Sequence, residues 1–291
     1  MSKYVPDIMS SRWVIMSTHR VERPEDVHSK TKKNICIFCE GNESYSPSEV
    51  YRKGKGEANT KGWEVRVVSN KYPITDFHEV IIHSPKHNED IDTLSLPHIT
   101  QLFKTYKERF NFYKSKGQVM IFCNHGDRSG ASLTHPHSQL VVIPSQINLD
   151  TLTREPLENI VETNTFFQIY CPDFSQWPYE VWIAPKKEGT FFGDIPDNEL
   201  EDLAMLMQKT LRNLKKIAEK QQLSKDEFAY NFYIYPKHNW YLRIIPRLVH
   251  RAGFELGTGL SVNVIDPTVA AQELRSIEEK INHVLKKLKK F

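Results

Sequence analysis

This sequence has little cysteine, no lopsided charge and no long apolar run. Four cysteines in 291 residues are too few for the disulfide framework of a small secreted fold. No apolar stretch approaches the length of a membrane span. The opening Met1-Ser-Lys-Tyr-Val-Pro-Asp7 has no apolar signal-peptide core. Lys and Arg number 39 against 36 Asp and Glu, a net charge of +3, which argues against a dedicated nucleic-acid binder. These absences predict a cytoplasmic protein with reduced thiols, bound to neither membrane nor nucleic acid. The one basic stretch, His283-Val-Leu-Lys-Lys-Leu-Lys-Lys-Phe291, reads as a helix end whose solvated lysines complement the helix dipole.

What is present is concentrated in two short motifs. Two of the cysteines form Cys36-Ile-Phe-Cys39, and such a pair in a cysteine-poor chain points to metal binding or redox chemistry. Further on, His135-Pro-His137-Ser-Gln139 opens a segment whose Leu-Val-Val-Ile run reads as a buried strand ending at Pro144. Strand side chains alternate faces, so His135, His137 and Gln139 are expected on one side. Polar groups in a row on an apolar strand are costly without partners. A metal ion and a phosphate group would supply them.

The length allows one large domain or two modest ones, and the pattern favours two built alike. His78–Ile82 reads as a strand followed by Ser84-Pro85-Lys86-His87; Tyr179–Ile183 reads as another followed by Ala184-Pro185-Lys186-Lys187. Ser95 and Asp194 each stand two residues before a proline, as helix caps. Ile99, Leu102, Phe103, Tyr106, Phe110 and Tyr113 then make one helical stripe. Leu200, Leu203, Leu206, Met207, Leu211 and Leu214 make the other. Strands over Gln118–Cys123 and Phe228–Tyr235 follow, and each half closes on Ile-Pro, at Pro144 and Pro246. Lys53–Gly62 reads as a mobile loop, Leu149–Glu162 as the link between halves, and Thr268–Phe291 as a closing helix. Its apolar side would run Val269, Leu274, Ile277, Ile281, Val284 and Leu288. Aligning the two prolines sets His135 against Lys237, His137 against Asn239 and Gln139 against Tyr241, so only the first half carries the histidines.

These residues together are recognisable. The chain resembles the galactose-1-phosphate uridylyltransferase branch of the histidine-triad superfamily, and looks closest to its ADP-glucose phosphorylase-like members. Arg12-Trp13-Val14-Ile15 with Arg20 and Arg23-Pro24, Cys36 to Glu43, Val65 to Pro73, and Asn124 to Gln139 carry the likeness; Trp177-Pro178 and Phe254 to Gly259 extend it into the second half. The resemblance implies an α+β fold of tandem duplicated histidine-triad-type units, at 1–150 and 151–291, with an extended antiparallel sheet flanked by helices. It implies a homodimer, and a two-step transfer of UMP or AMP from a nucleotide sugar through a nucleotidyl-histidine to a hexose 1-phosphate or phosphate.

On that resemblance His137 is the nucleophile, and a backbone carbonyl on its other ring nitrogen would fix the tautomer. Gln139 and Ser132 assist it. Gly130, Ala131 and Ser132 offer backbone donors to phosphate. Asn124 is expected on phosphate or ribose, Asn70 on the nucleoside and Arg12 on phosphate. Zn2+ is expected on Cys36, Cys39, His87 and His135, closed and structural. Gly257 and Gly259 stand where galactose-specific relatives carry sugar-reading side chains, and suit a small anion through their N–H groups. Lys237, His238 and Tyr241 are candidates to line the pocket. His78, His83 and His98 carry no signal beyond their presence. Two other readings stay open: a dinucleoside polyphosphate phosphorylase, and a nucleotide-binding protein without turnover.

Overall fold

The computed structural model describes residues 2–7, 12–22, 35–149, 152, 154, 157–220 and 228–288, with side chains to residue 277 in the last helix. The chain begins with a separate ribbon, β1 (Lys3–Pro6) against β2 (Trp13–Met16). The first half follows as β3 (Glu49–Gly54), β4 (Trp63–Ser69), β5 (His78–Ile82), α1 (Leu96–Tyr113), β6 (Gln118–His125) and β7 (His137–Ile143). The second repeats it as β8 (Ile160–Thr163), β9 (Phe167–Tyr170), β10 (Val181–Pro185), α2 (Asp197–Lys220), β11 (Tyr230–Ile234) and β12 (Leu242–Pro246). Two helices close the chain, α3 (Gly253–Thr258) and α4 (Pro267–Leu288).

Ten strands form one sheet in the order β3-β4-β5-β7-β6-β11-β12-β10-β9-β8, antiparallel at every described pair. Counted outward from the middle, the two halves have the same order. They meet edge to edge where β6 pairs with β11, setting Asn124 opposite Asn231 and Cys123 opposite Phe232.

Both helical stripes bury against one face of this sheet. Ile99, Leu102, Phe103, Tyr106 and Phe110 of α1 and the six apolar residues of α2 share a core with Ile81, Ile121 and Leu140. Each such buried side chain contributes roughly 1.5–3 kcal/mol relative to exposure. Alternation then leaves every second residue of β5, β6 and β7 on the opposite face, away from the helices. That face carries His137 and Gln139.

Four local expectations change. Ser95 precedes α1 but its side chain makes no capping hydrogen bond. Asp194 serves the turn before α2, accepting from the Phe191 N–H at 3.0 Å. Lys53–Gly62 is a defined hairpin tip: Arg52 donates to the carbonyls of Lys55 and Thr60 at 2.6 Å each, and Asn59, Gly54, Gly56 and Gly62 take the positive φ angles of a tight reversal. The link through Glu162 contains strand β8. In α4, Ala270, Ala271 and Leu274 are buried whereas Val269 is 44% exposed; Ile281, Val284 and Leu288 are outside the described side chains. No helix among the described residues is long and apolar enough to cross a membrane.

Candidate active site and metal centre

Two sites sit side by side at the start of β7. The first gathers Cys36, Cys39, His87 and His135, whose ligand atoms all lie within 4.8 Å of one another. His135 Nδ1 is 3.4 Å from Cys36 Sγ and 3.6 Å from Cys39 Sγ, and His87 Nδ1 is 3.6 Å from Cys39 Sγ. His135 Nε2–H donates to the Ser84 carbonyl at 2.8 Å, which leaves the Nδ1 lone pair turned toward the thiols. Without a cation the set is mutually unfavourable. Burial, then the neighbouring histidines, push His135 down to about 4, and burial and Cys36 push Cys39 up to about 11. A bound cation would favour the neutral imidazoles and the thiolates together. These four residues could hold a metal ion, and among the described residues no other His, Cys, Asp or Glu group is so placed.

The second site is a cavity of about 240 Å³ on the face away from α1, lined by His137, Gln139, Asn124, Asn70 and the Gly130–Ser132 turn, with Lys71 its lysine. Its apolar wall comes from Ile37, Phe38, Val68, Val80 and Leu133, with Tyr45 and Tyr72 at the sides. Phe38 meets two imidazoles edge-on, with ring centres 6.0 Å from His135 and 5.5 Å from His137. The polar groups are oriented rather than merely present. His137 Nδ1–H donates to the His135 carbonyl at 2.8 Å, so the ring's lone pair is on Nε2. Asn124 accepts on Oδ1 from Asn231 Nδ2 at 2.8 Å, which leaves its own amide N–H groups for a ligand. Arg20 donates to the Tyr72 carbonyl at 2.6 Å and secures that wall.

The Gly130–Ser132 turn offers fewer donors than its sequence implies. Gly130 adopts φ +78°, and its N–H donates to the Asp127 carbonyl at 3.0 Å. The donors left for a ligand are the Ala131 and Ser132 N–H groups and the Ser132 hydroxyl. That hydroxyl is buried and has no hydrogen-bond partner among the described residues. A buried orphan hydroxyl on a cavity wall is costly unless a ligand completes it.

One participant carried no signal in the sequence. His78 Nδ1 accepts from the Ile74 N–H at 2.9 Å, so its proton is on Nε2, which lies 3.0 Å from Gln139 Oε1 and 3.1 Å from Asn70 Nδ2; of the two only the Gln139 oxygen can accept it. That contact turns the Gln139 amide nitrogen toward the cavity. Of the apolar wall, Val68 and Tyr72 belong to the Val65 to Pro73 stretch that carries the resemblance, whereas Val80 had no such signal, although it is registered opposite Gln139 and strand alternation would have found it.

Other expected residues lie elsewhere. Phe254–Gly259 is not an open glycine turn: Gly253–Thr258 is helical, and the Gly259 N–H donates to the Glu255 carbonyl at 2.9 Å. Neither Gly257 nor Gly259 lines the cavity, nor does Arg12, which is exposed and stands beside Gly259. Tyr241 is stacked between Trp182, at 3.9 Å, and Tyr235, at 4.9 Å, and His238 rests on Phe191; with Lys237 they line no part of the cavity. Arg23 and Pro24 lie outside the described residues.

Ten antiparallel strands in two like-built halves, with helices on one face of the sheet and the His137 and Gln139 side chains on the other, make the fold that this chain shares with galactose-1-phosphate uridylyltransferase-like structures. Residues 15–145 match the family model described as "Domain of unknown function (DUF4931) N-terminal domain". The chain is homologous to ADP-glucose phosphorylase of Arabidopsis thaliana, with 27% identity over 93% of this chain and 92% of that one. It is also homologous to galactose-1-phosphate uridylyltransferase of Thermotoga maritima, with 23% identity over 94% and 98%. The crystal structure of the Arabidopsis phosphorylase with bound ADP-glucose superposes with a TM-score of 0.70 at 24% identity, covering 94% of this chain and 99% of that one.

Proposed function

We propose that this protein is a nucleotidyltransferase that moves UMP or AMP from a nucleotide sugar through a covalent nucleotidyl-His137 to a hexose 1-phosphate or to phosphate. The observation that carries this reading is the pairing of His137, its tautomer set by the His135 carbonyl, with the orphaned Ser132 hydroxyl on the same cavity wall. Names of homologous proteins support the reaction class.

In the first step the Nε2 lone pair of His137 attacks the α-phosphorus of the donor. A P–N bond forms and the P–O bond to the sugar phosphate breaks, the electron pair leaving with that phosphate. In the second step an acceptor phosphate oxygen attacks, a P–O bond forms and the P–N bond breaks, returning the neutral imidazole. Splitting one transfer into two lowers each barrier. The Ser132 hydroxyl, the Ala131 and Ser132 N–H groups and the Gln139 amide are placed to meet charge on the non-bridging oxygens. Asn124 would contact phosphate or ribose and Asn70 the nucleoside, with the base against Phe38, Val68 and Val80.

Cys36, Cys39, His87 and His135 would hold a zinc ion. Tetrahedral Zn2+ at about 2.3 Å from sulfur and about 2.0 Å from nitrogen places S and N about 3.5 Å apart, against the observed 3.4 and 3.6 Å. With all four positions filled by protein, such a site is structural and pins the segment that carries His137. A homodimer in a reducing, cytoplasmic setting completes the proposal; light scattering tests the oligomer. The function is tested by incubating the protein with α-labelled UDP-glucose and ADP-glucose. Label on wild type but not on His137→Asn is the expected result. Label that persists on His137→Asn, or none on wild type with either donor, overturns the reading.

A further inference from the structure

Beneath the nucleophile, on the face turned toward α1, lies a buried polar chain that the transfer chemistry does not use. His83 grips the residues on both sides of His137: its main-chain N–H donates to the Pro136 carbonyl at 3.1 Å, and its Nε2 is 2.7 Å from Ser138 Oγ. Its Nδ1–H donates to Asp90 Oδ1 at 2.7 Å, which makes Nε2 an acceptor for the hydroxyls that face it, Ser138 and, at 3.1 Å, Tyr106. The Tyr106 and Ser138 hydroxyls are 2.7 Å apart and hydrogen-bonded to each other. Serine, imidazole and carboxylate thus stand in series, but sealed in the interior and facing no cavity, so they are not themselves a nucleophilic triad.

The far end of the chain belongs to the second half of the molecule. Asp90 Oδ2 accepts from the Tyr230 hydroxyl of β11 at 2.9 Å and from His125 at 2.8 Å. Gln208 of α2 donates to the carbonyls of Ile91 and Leu94 at 3.0 and 2.7 Å, and Arg212 and Lys215 each hold Asp92 at 2.7 Å. A buried charge network of this kind is no more stabilising than a well-packed apolar core would be. What it adds is direction, because its buried members are satisfied by one another and hold one another in place. A nucleophile misplaced by about 1 Å loses about a hundredfold in rate.

We propose that Tyr230, Asp90, His83 and Ser138 form a positioning chain through which the second half of the protein sets the aim of His137. The second half, which lacks the reactive histidines, thereby takes part in the reaction without touching substrate. This rests on His137 being the nucleophile.

The test compares wild type with Asp90→Asn, Ser138→Ala, their double variant and Tyr230→Phe. The last keeps a packed ring that is 2% exposed and loses only a hydroxyl, so it retains the fold if any variant does. Single-turnover labelling with a saturating nucleotide sugar should slow about 10–100-fold in Asp90→Asn and about three- to tenfold in Tyr230→Phe. The half-saturating donor concentration and the zinc content should stay within about twofold of wild type, because nothing on the cavity wall has changed. The double variant should be no slower than its slower parent, since both break one chain. Folded variants that label within about twofold of wild type overturn the proposal. So does a double variant whose loss is the product of its parents' losses. If wild type itself takes no label, it is the transfer reading that fails. The positioning chain is then judged by the ¹⁵N spectrum of the His137 ring, which should show one Nδ1-protonated tautomer in wild type and a mixture in Asp90→Asn. An unchanged ring spectrum in the variants overturns it.

Discussion

The imidazole of His78 donates from Nε2 to the side-chain oxygen of Gln139 across 3.0 Å. One main-chain N–H, that of Ile74, determines which nitrogen of His78 bears the proton. The tautomer in turn determines which end of the Gln139 amide meets an anion. His78→Ala removes that restraint, so the amide can rotate and present oxygen to phosphate. The expected outcome is a loss of about 10–100-fold in kcat, the scale of a misdirected anion donor, with metal content unchanged. Steady-state kinetics of His78→Ala, read beside Gln139→Ala, provide the check, because the two should lose about the same.

Ser132 makes a sharper case. Its hydroxyl is buried and unpartnered among the described residues, so deleting it relieves a desolvation cost of about 1 kcal/mol or more in the ligand-free protein. Ser132→Ala should melt at or slightly above the wild-type temperature, yet form the nucleotidyl-enzyme about tenfold more slowly or worse. A thermal melt and a single-turnover assay on one preparation decide it. A variant both less stable and fully active would show that the hydroxyl does not face the reacting phosphate.

Metal analysis should find about one zinc per chain, as a single closed four-ligand site demands. Cys39→Ser should lose most of that zinc and melt several degrees lower, because loss of a structural metal removes folding free energy directly. Calorimetry with and without a strong chelator measures the same quantity on the unmutated protein. Equal melting temperatures in the two would contradict a structural ion.

Stability should also depend on pH through His125 and Asp90. Burial opposes charge on His125, but the Asp90 carboxylate beside it raises its pKa above the ordinary histidine value. Its contribution is therefore complete below about pH 6.5 and is lost as pH rises through the raised value. Asp90 is also opposed by burial, yet His83 and His125 hold it well below the ordinary carboxylate range. It contributes above about pH 3.9 and loses that only as pH falls through its depressed value. The stability gap between wild type and His125→Gln should be widest between about pH 4 and 6.5 and shrink above neutrality. Urea titrations at pH 5.5 and 8.5 measure it, and a gap that grows with pH would reverse the assignment.

Much of this was legible where the pattern is repeated or the residue is chemically rare. β5 has the bounds its apolar run predicts, and both helical stripes are in the core. Cys36 and Cys39 stood out in a chain with only four cysteines, and the resemblance supplied His87 and His135. Residues whose meaning depends on a distant partner were not legible. His78 is one polar residue at a strand start, and its role exists only because Gln139, 61 positions away, lies opposite. His83 and Asp90 form a pattern only together with Ser138 and Tyr230. Composition misled at two places. Gly257 and Gly259 read as donors, but Glu255 accepts from the Ala252 N–H at 3.0 Å and starts a helix that uses the Gly259 N–H at its end. Lys53–Gly62 read as loose, but Glu49 accepts from Arg52 and Arg66 beneath the hairpin at 2.6 and 3.0 Å.

Phe38 occupies a spacer position between the two cysteines, and its ring also forms part of the cavity wall against His137. The knuckle is therefore not an interchangeable part. Grafting a Cys-x-x-Cys turn from an unrelated metalloprotein, with a small polar residue at position 38, would keep both cysteines while opening the wall of the neighbouring cavity to water. An engineer would obtain a well-folded, fully metallated protein with a leaking active site. Screens that score only metal loading or solubility would pass it.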